Sequence, residues 1–145
     1  MSDIIEKIVE DFEIVRKEFQ AKAQTALKAA FKEFFDANPT ITEIYWNQYT
    51  PYFNDGDECN FSVNDMFATV GEITEEERDE YIEDRPSTIS GWGSCPGYEQ
   101  EQENFKEFTR LINRLPDEIF ESTFGNHAEI TATREGFNVD EYSHD

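Results

Sequence analysis

The first 37 residues carry an apolar repeat that leaves few choices for the fold of this segment. Apolar side chains recur every three or four residues, which is the spacing of one face of an α-helix. Acidic residues concentrate early and lysines late, as the helix dipole favours, and Asn38-Pro39 ends the pattern. The sequence therefore predicts one long helix over residues 1–38. Its apolar positions are Ile5, Ile8, Phe12, Val15, Phe19, Ala23, Ala26, Ala30, Phe31 and Phe34.

The apolar face of this helix has two interpretations. The first is that the stripe packs on the protein's own sheet, as amphipathic helices generally do, and this packing is the expectation. The second follows from positions 5, 8, 12, 15 and 19, which also fit a heptad repeat. Under that interpretation the N-terminal helix forms a homodimer.

The rest of the chain predicts an antiparallel sheet with short helices. Residues 41–49 are rich in β-branched and aromatic types, and residues 58–63 alternate, so residues 41–70 are predicted to form a β-hairpin. The predicted order continues with an acidic helix at 72–85, a loop at 86–97, helices at 98–125 and strands at 127–140. The prediction is a single acidic α+β domain over residues 1–145, in which the long N-terminal helix packs on a small antiparallel sheet of three to four strands with additional short helices.

The charge balance excludes several classes of function. The chain has 12 Lys and Arg against 33 Asp and Glu, a net charge of −21. Direct binding of nucleic acid is not expected, because too few cations are present to neutralise a run of phosphates, and anionic lipid would repel the chain. No stretch approaches the roughly 20 apolar residues of a membrane span, so the expectation is a soluble, cytoplasmic protein. An aromatic content of 14% is too high for a disordered acidic tail, so the chain is expected to fold.

The sequence offers little for catalysis or metal binding. His127 and His144 stand in no nucleophile–base or zinc pattern, so neither an enzyme nor a cofactor is expected. The oxygen-rich segment at residues 54–58 lacks the ligand spacing of a calcium loop, and it is predicted to be a turn with no metal site. Cys59 and Cys95 are expected to be reduced thiols in an intracellular setting.

One segment resembles a known sequence motif. Residues 46–63 read WNQYTPYFNDGDECNFSV, and this resembles small uncharacterised proteins of bacteria and their viruses that share a QYTPYFNDGDxCxFxV-like core. The resemblance covers about an eighth of the chain and implies no activity. It does imply a phage or bacterial origin.

The acid surplus is greatest in residues 72–84, which hold eight acids and one base. On a helix this amounts to one net charge per roughly 3 Å, close to the ~3.4 Å spacing of phosphates along one DNA strand. Such a row of like charges does nothing for folding, which points to a surface that binds a partner. The residues predicted to contact a partner are Glu72, Glu75, Glu76, Glu77, Asp79, Glu80, Glu83, Asp84, Trp92 and Tyr98.

In size and charge the chain resembles the phage-encoded DNA-mimic proteins, which are small acidic inhibitors of the anti-restriction or anti-CRISPR type. The resemblance implies a non-enzymatic inhibitor in the host bacterial cytoplasm, where carboxylates fill the basic groove of a nucleic-acid-binding defence enzyme. The alternative is an acidic interaction module that binds a specific protein by shape, without mimicking DNA. Steep salt dependence of partner affinity would favour the first of these hypotheses.

Overall fold

The computed structural model describes residues 2–51, 60–71, 88–90 and 95–142 of this chain. Within them the chain alternates between helices and antiparallel strands, which confirms the predicted α+β class. The helices are α1 (Ser2–Ala37), α2 (Glu99–Ile112) and α3 (Asp117–Phe124). The strands are β1 (Ile41–Tyr49), β2 (Ser62–Val63), β3 (Phe67–Val70), β4 (Thr88–Ile89), β5 (Ala128–Thr133) and β6 (Gly136–Glu141).

The sheet is built around β1. Its strand order is β4-β3-β1-β5-β6, and every pair is antiparallel. On one edge of β1, β3 pairs with residues 41–45 and β2 pairs with residues 48–49. On the other edge β5 pairs with residues 44–48, and the β5–β6 hairpin completes the sheet. The long β1 strand predicted from its β-branched and aromatic residues is therefore the centre of the fold.

The predicted number of strands, three to four, is wrong, because the described sheet has six. β2 and β4 contain two residues each, too few to show the alternation by which a strand is recognised in a sequence. β4 lies inside residues 86–97, which were predicted to be a loop. Within residues 62–70 the chain forms two strands, β2 and β3, and residues 64–66 between them lie outside the ladder.

The core lies between one face of the sheet and the helices. The Phe31 ring of α1 stacks on Trp46 of β1 at 5.5 Å between centroids, and Phe108 of α2 meets Phe31 edge-on at 5.0 Å. From α3, Phe124 meets Trp46 edge-on at 5.4 Å. On β5 the alternate residues Ala128, Ile130 and Ala132 are all buried. Half-buried Phe61 and Val63 also pack against this core.

A single buried amide joins β1 to α3. The Gln48 side chain is fully buried, and its Nε2 donates to the carbonyl oxygens of Phe120 at 3.0 Å and Gly125 at 2.7 Å. Its Oε1 accepts a hydrogen bond from the indole N–H of Trp46 at 3.0 Å. One side chain therefore provides hydrogen-bond partners for two buried groups, the Trp46 N–H and the Phe120 carbonyl, and for the part-buried Gly125 carbonyl.

Replacing Gln48 with leucine is expected to lower the free energy of unfolding by about 3 kcal/mol or more. The substitution leaves the buried Trp46 N–H and Phe120 carbonyl, and the part-buried Gly125 carbonyl, without this partner. Each buried unsatisfied group costs about 1–3 kcal/mol. The matched control is Gln100→Leu, since Gln100 is exposed and bonds only to the Asn104 side chain through its amide nitrogen. Urea denaturation measures both variants, and equal stabilities would contradict the assigned role of Gln48.

The C-terminal end of α1 is held by polar side chains from two other elements. The buried Asn38 donates from Nδ2 to the Phe34 carbonyl at 2.9 Å and accepts from Asn104 Nδ2 at 2.8 Å. Arg134, after β5, donates to the Phe35 carbonyl at 2.6 Å, with its guanidinium 5.7 Å from the Phe35 ring centroid. These donors add to the hydrogen bonds that the Asn38 backbone N–H donates to the same two carbonyls, at 3.0 and 3.2 Å. The end of α1 is thereby joined to α2 and to the β5–β6 turn.

The sheet is too short to cover the whole of α1. A helix of 36 residues is about 54 Å long, whereas the nine residues of β1 span about 30 Å. Only the second half of α1 contributes to the core, through Ala23, Leu27, Phe31, Phe34 and Phe35. The expectation that the entire apolar stripe packs on the protein's own sheet is therefore wrong for residues 5–19.

Candidate interaction surface

The N-terminal half of α1 exposes a row of large apolar side chains. Their relative exposure runs from 47% at Val9 to 72% at Ile4. We call this surface the α1 stripe, and it consists of Ile4, Ile5, Ile8, Val9, Phe12, Val15 and Phe19. Single exposed apolar residues are common on protein surfaces, but a contiguous row of this kind is typical of an interaction site.

The last turn of the α1 stripe already lies beside α3. Arg16 forms an ion pair with Glu118 of α3 at 3.0 Å, and one turn beyond the stripe Gln24 donates to Ser122 at 3.1 Å. Because successive helical residues are rotated by about 100°, the stripe lies about 90° around the helix from the core-facing side chains of the second half. The side chains of the stripe therefore project sideways from α1, at about a right angle to the direction of the sheet.

Nine of the ten residues predicted to contact a partner lie outside the described residues. They are the eight acids of residues 72–84 and Trp92. The predicted turn at residues 54–58 and Cys59 also lie outside them, while Cys95 is half-buried against the core.

The tenth predicted residue, Tyr98, immediately precedes α2 and is half-buried against the core. Its hydroxyl stands 2.9 Å from the place that a Cβ on Gly71 would occupy. Gly71 has φ +69°, so its lack of a side chain serves both the backbone turn and this close approach. Tyr98 therefore contacts the core and Gly71 of its own chain.

The described residues contain no group of three His, Cys, Asp or Glu side chains placed to hold a metal ion. Tyr45 on β1 is half-buried, and its hydroxyl lies 3.1 Å from a carboxylate oxygen of Glu129 on β5. Burial, reinforced by the negative charge of Glu129, raises the pKa of Tyr45 to about 12. The Tyr45 hydroxyl is thus held in its protonated, donating form, the opposite of an activated nucleophile.

Tyr45 is expected to ionise only at strongly alkaline pH. Its folded pKa lies above the ordinary value of 10. The stability contributed by protonated Tyr45 is therefore complete below pH 10 and is lost as the pH rises towards 12. Ultraviolet absorbance follows the ionisation, and Tyr45→Phe should remove an ionisation step near pH 12. A Tyr45→Phe variant with an unchanged titration curve would contradict this assignment.

Two open cavities lie beside the second half of α1. One, of about 470 Å³, brings Lys28, Lys32 and Arg134 to the β5–β6 turn. In this cavity Lys32 pairs with Asp36 at 3.4 Å, and Arg134 donates to backbone carbonyls, so two of the three cations are already engaged. The other, of about 540 Å³, is an apolar groove between α1 and α2 that includes the exposed Leu111. Neither cavity assembles a set of catalytic groups.

The sequence contained the signal for the exposed stripe but not its extent. The heptad spacing of residues 5–19 indicates a face that could contact another helix, which is the second interpretation of the helix face. The length of the sheet decides where along α1 the core contacts stop, and that length depends on strand pairing between distant segments. The buried role of Gln48 had no signal in the sequence, because a glutamine among strand residues is usually exposed.

Comparisons with protein-family models, with curated proteins and with solved structures give no match to this chain. Among the helices that the structure describes, none is both long enough and apolar enough to cross a membrane.

Proposed function

We propose that this protein is a non-enzymatic acidic inhibitor that blocks the basic groove of a nucleic-acid-binding defence enzyme. Its carboxylates occupy the places of phosphates, so that it competes with the nucleic acid for the groove. The observation that carries the proposal is the net charge of −21 on 145 residues. A small domain needs a net charge of only about 2–8 to stay in solution, and the excess calls for another explanation.

The distribution of the charge supports the same proposal. Residues 72–84 hold eight acids and one base, and on the helix that the sequence predicts this charge density is comparable with that of one DNA strand. Several described cations are paired within the protein, as in Arg16–Glu118 and Arg110–Glu107. Such local pairs leave the excess of negative charge uncompensated. A field of this sign accelerates association with a basic groove.

The motif in residues 46–63 supports a phage or bacterial origin, with the host cytoplasm as the site of action. This part of the proposal rests on the sequence resemblance. The partner is defined by its chemistry, a groove lined with Lys and Arg that ordinarily holds a nucleic-acid backbone.

Competition with DNA tests the proposed function. The immobilised chain is exposed to a bacterial lysate, and the bound proteins are then challenged with duplex DNA or RNA. Nucleic-acid-binding proteins are expected to be released, because the same cationic groove cannot hold both ligands. Partners that stay bound under excess nucleic acid would contradict the proposal.

The second candidate function is an interaction module that binds a specific protein by shape. The α1 stripe favours it, since this surface offers apolar contacts in place of charge. Binding of this kind depends little on salt, whereas occupation of a cationic groove weakens steeply as salt rises. Partner affinity at low and high salt therefore separates the two candidates.

A further inference from the structure

The exposed side chains of the α1 stripe follow a heptad pattern. Ile5, Phe12 and Phe19 occupy position a, and Ile8 and Val15 occupy position d. Each of the five is 48–64% exposed, so none is used by the core of its own chain. An a/d row is completed by an equivalent row on a facing helix. We infer that the α1 stripe binds the α1 stripe of a second copy of this chain, in a parallel two-stranded coiled coil.

We call the a/d row from Ile5 to Phe19 the seam. The charges beside the seam favour the parallel arrangement of the two helices. Asp11 and Glu18 occupy position g, and Arg16 occupies position e. In a parallel pair, position g faces position e of the following heptad in the other helix, so Asp11 meets Arg16 of the second copy. An antiparallel pair places g against g, which brings like charges from Asp11 and Glu18 together.

The same rule of pairing extends the apolar seam at its N-terminal end. Ile4 at position g faces Val9 at position e of the second copy, and both side chains are exposed in the single chain. At the other end, Lys22 takes the next position d, where two ammonium groups would face each other. The seam therefore spans about two heptads, from Ile5 to Phe19.

The body of the protein leaves room for the second helix. The stripe lies about 90° around α1 from its core-facing residues, so each body stands beside the seam. A twofold axis along the seam then places the two bodies on opposite sides. Arg16 already binds Glu118 of its own chain, and its guanidinium has enough N–H donors to bind Asp11 of the second copy as well.

The dimer does not depend on the proposed function, and salt separates the two. Each chain carries −21, so two chains repel each other at long range. Added salt screens this repulsion and is expected to strengthen an apolar seam. The same addition is expected to weaken binding to a cationic groove.

Sedimentation equilibrium of the full chain, from micromolar to near-millimolar concentration, tests the inference. We expect a reversible monomer–dimer equilibrium that shifts towards the dimer as salt rises. Ile8→Glu combined with Val15→Glu should weaken association at least about a hundredfold while the dilute chain unfolds at an unchanged temperature. The control is Ile14→Glu, because Ile14 is 56% exposed on another face of α1. This variant should dimerise as the parent chain does. A chain that stays monomeric throughout would overturn the inference and assign the stripe to a different partner.

Oxidative cross-linking tests the parallel orientation. In a parallel coiled coil, two copies of position 8 face each other within the Cα separation of a disulfide. Ile8→Cys should therefore give a covalent dimer, whereas the unmodified chain and Glu10→Cys, on the outer face of the helix, should not. A dimer that forms normally but does not cross-link through position 8 would overturn the parallel arrangement.

Discussion

Replacing Trp46 with alanine is expected to lower the free energy of unfolding by about 3–5 kcal/mol, the usual cost of removing a buried tryptophan. Trp46 is fully buried, stacks on Phe31 and meets Phe120 and Phe124 edge-on. The substitution also removes the indole N–H that donates a hydrogen bond to Gln48 Oε1. For a domain of this size the melting temperature should fall by about 10 °C or more.

The control for this prediction is Ile14→Ala, because Ile14 is 56% exposed and contributes nothing to the core. Its stability should stay within about 0.5 kcal/mol of that of the parent chain. Thermal unfolding followed by circular dichroism measures both variants. If Trp46→Ala melted at the temperature of the parent chain, the hairpin would be a surface element and a better candidate for binding a partner.

Reversal of three acids in the acidic run is expected to abolish partner binding without unfolding the protein. The variant is Glu76→Lys, Glu80→Lys and Glu83→Lys, which the sequence predicts to share one helix face. In the complex these side chains would face Lys and Arg, so reversal converts attraction into repulsion. We expect affinity to fall at least about a hundredfold, or about 2.8 kcal/mol. In the free protein the change relieves repulsion between like charges four residues apart.

The matched control carries the same change in net charge at a different place. Glu6, Glu10 and Glu13 are exposed on α1, away from the stripe, and their reversal to lysine also raises the net charge by about six. This control should lose far less affinity if the acidic run itself contacts the partner. Calorimetric titration measures both variants, and equal losses would mean that total charge, and not the acidic run, governs binding.

The elements with strong local patterns could be predicted from the sequence. The apolar repeat and Asn38-Pro39 predicted α1 and the place where it ends. The helices predicted at 98–125 and the strands predicted at 127–140 correspond to α2, α3, β5 and β6. β2 and β4 could not be predicted, because a two-residue strand is defined by its partner and not by a pattern of its own.

The candidate interaction surface could be predicted only in part, for a related reason. A helical repeat shows which residues share a face, but the length of the partner element decides how much of that face is covered. α1 exceeds the span of β1 by about 24 Å when helical and extended rises are compared. That difference leaves the α1 stripe outside the core. The network of Gln48 likewise depends on carbonyls of α3 and the turn after it, more than 70 residues away in sequence.

The salt dependence of affinity for a purified partner tests the proposed function most directly. Binding is measured across a series of salt concentrations for the parent chain and for the triple reversal of residues 76, 80 and 83. If carboxylates take the place of phosphates, the logarithm of the dissociation constant should rise linearly with the logarithm of salt, with a slope of several, and the reversal should reduce that slope. A partner that binds the parent chain equally well at low and high salt would contradict the proposal.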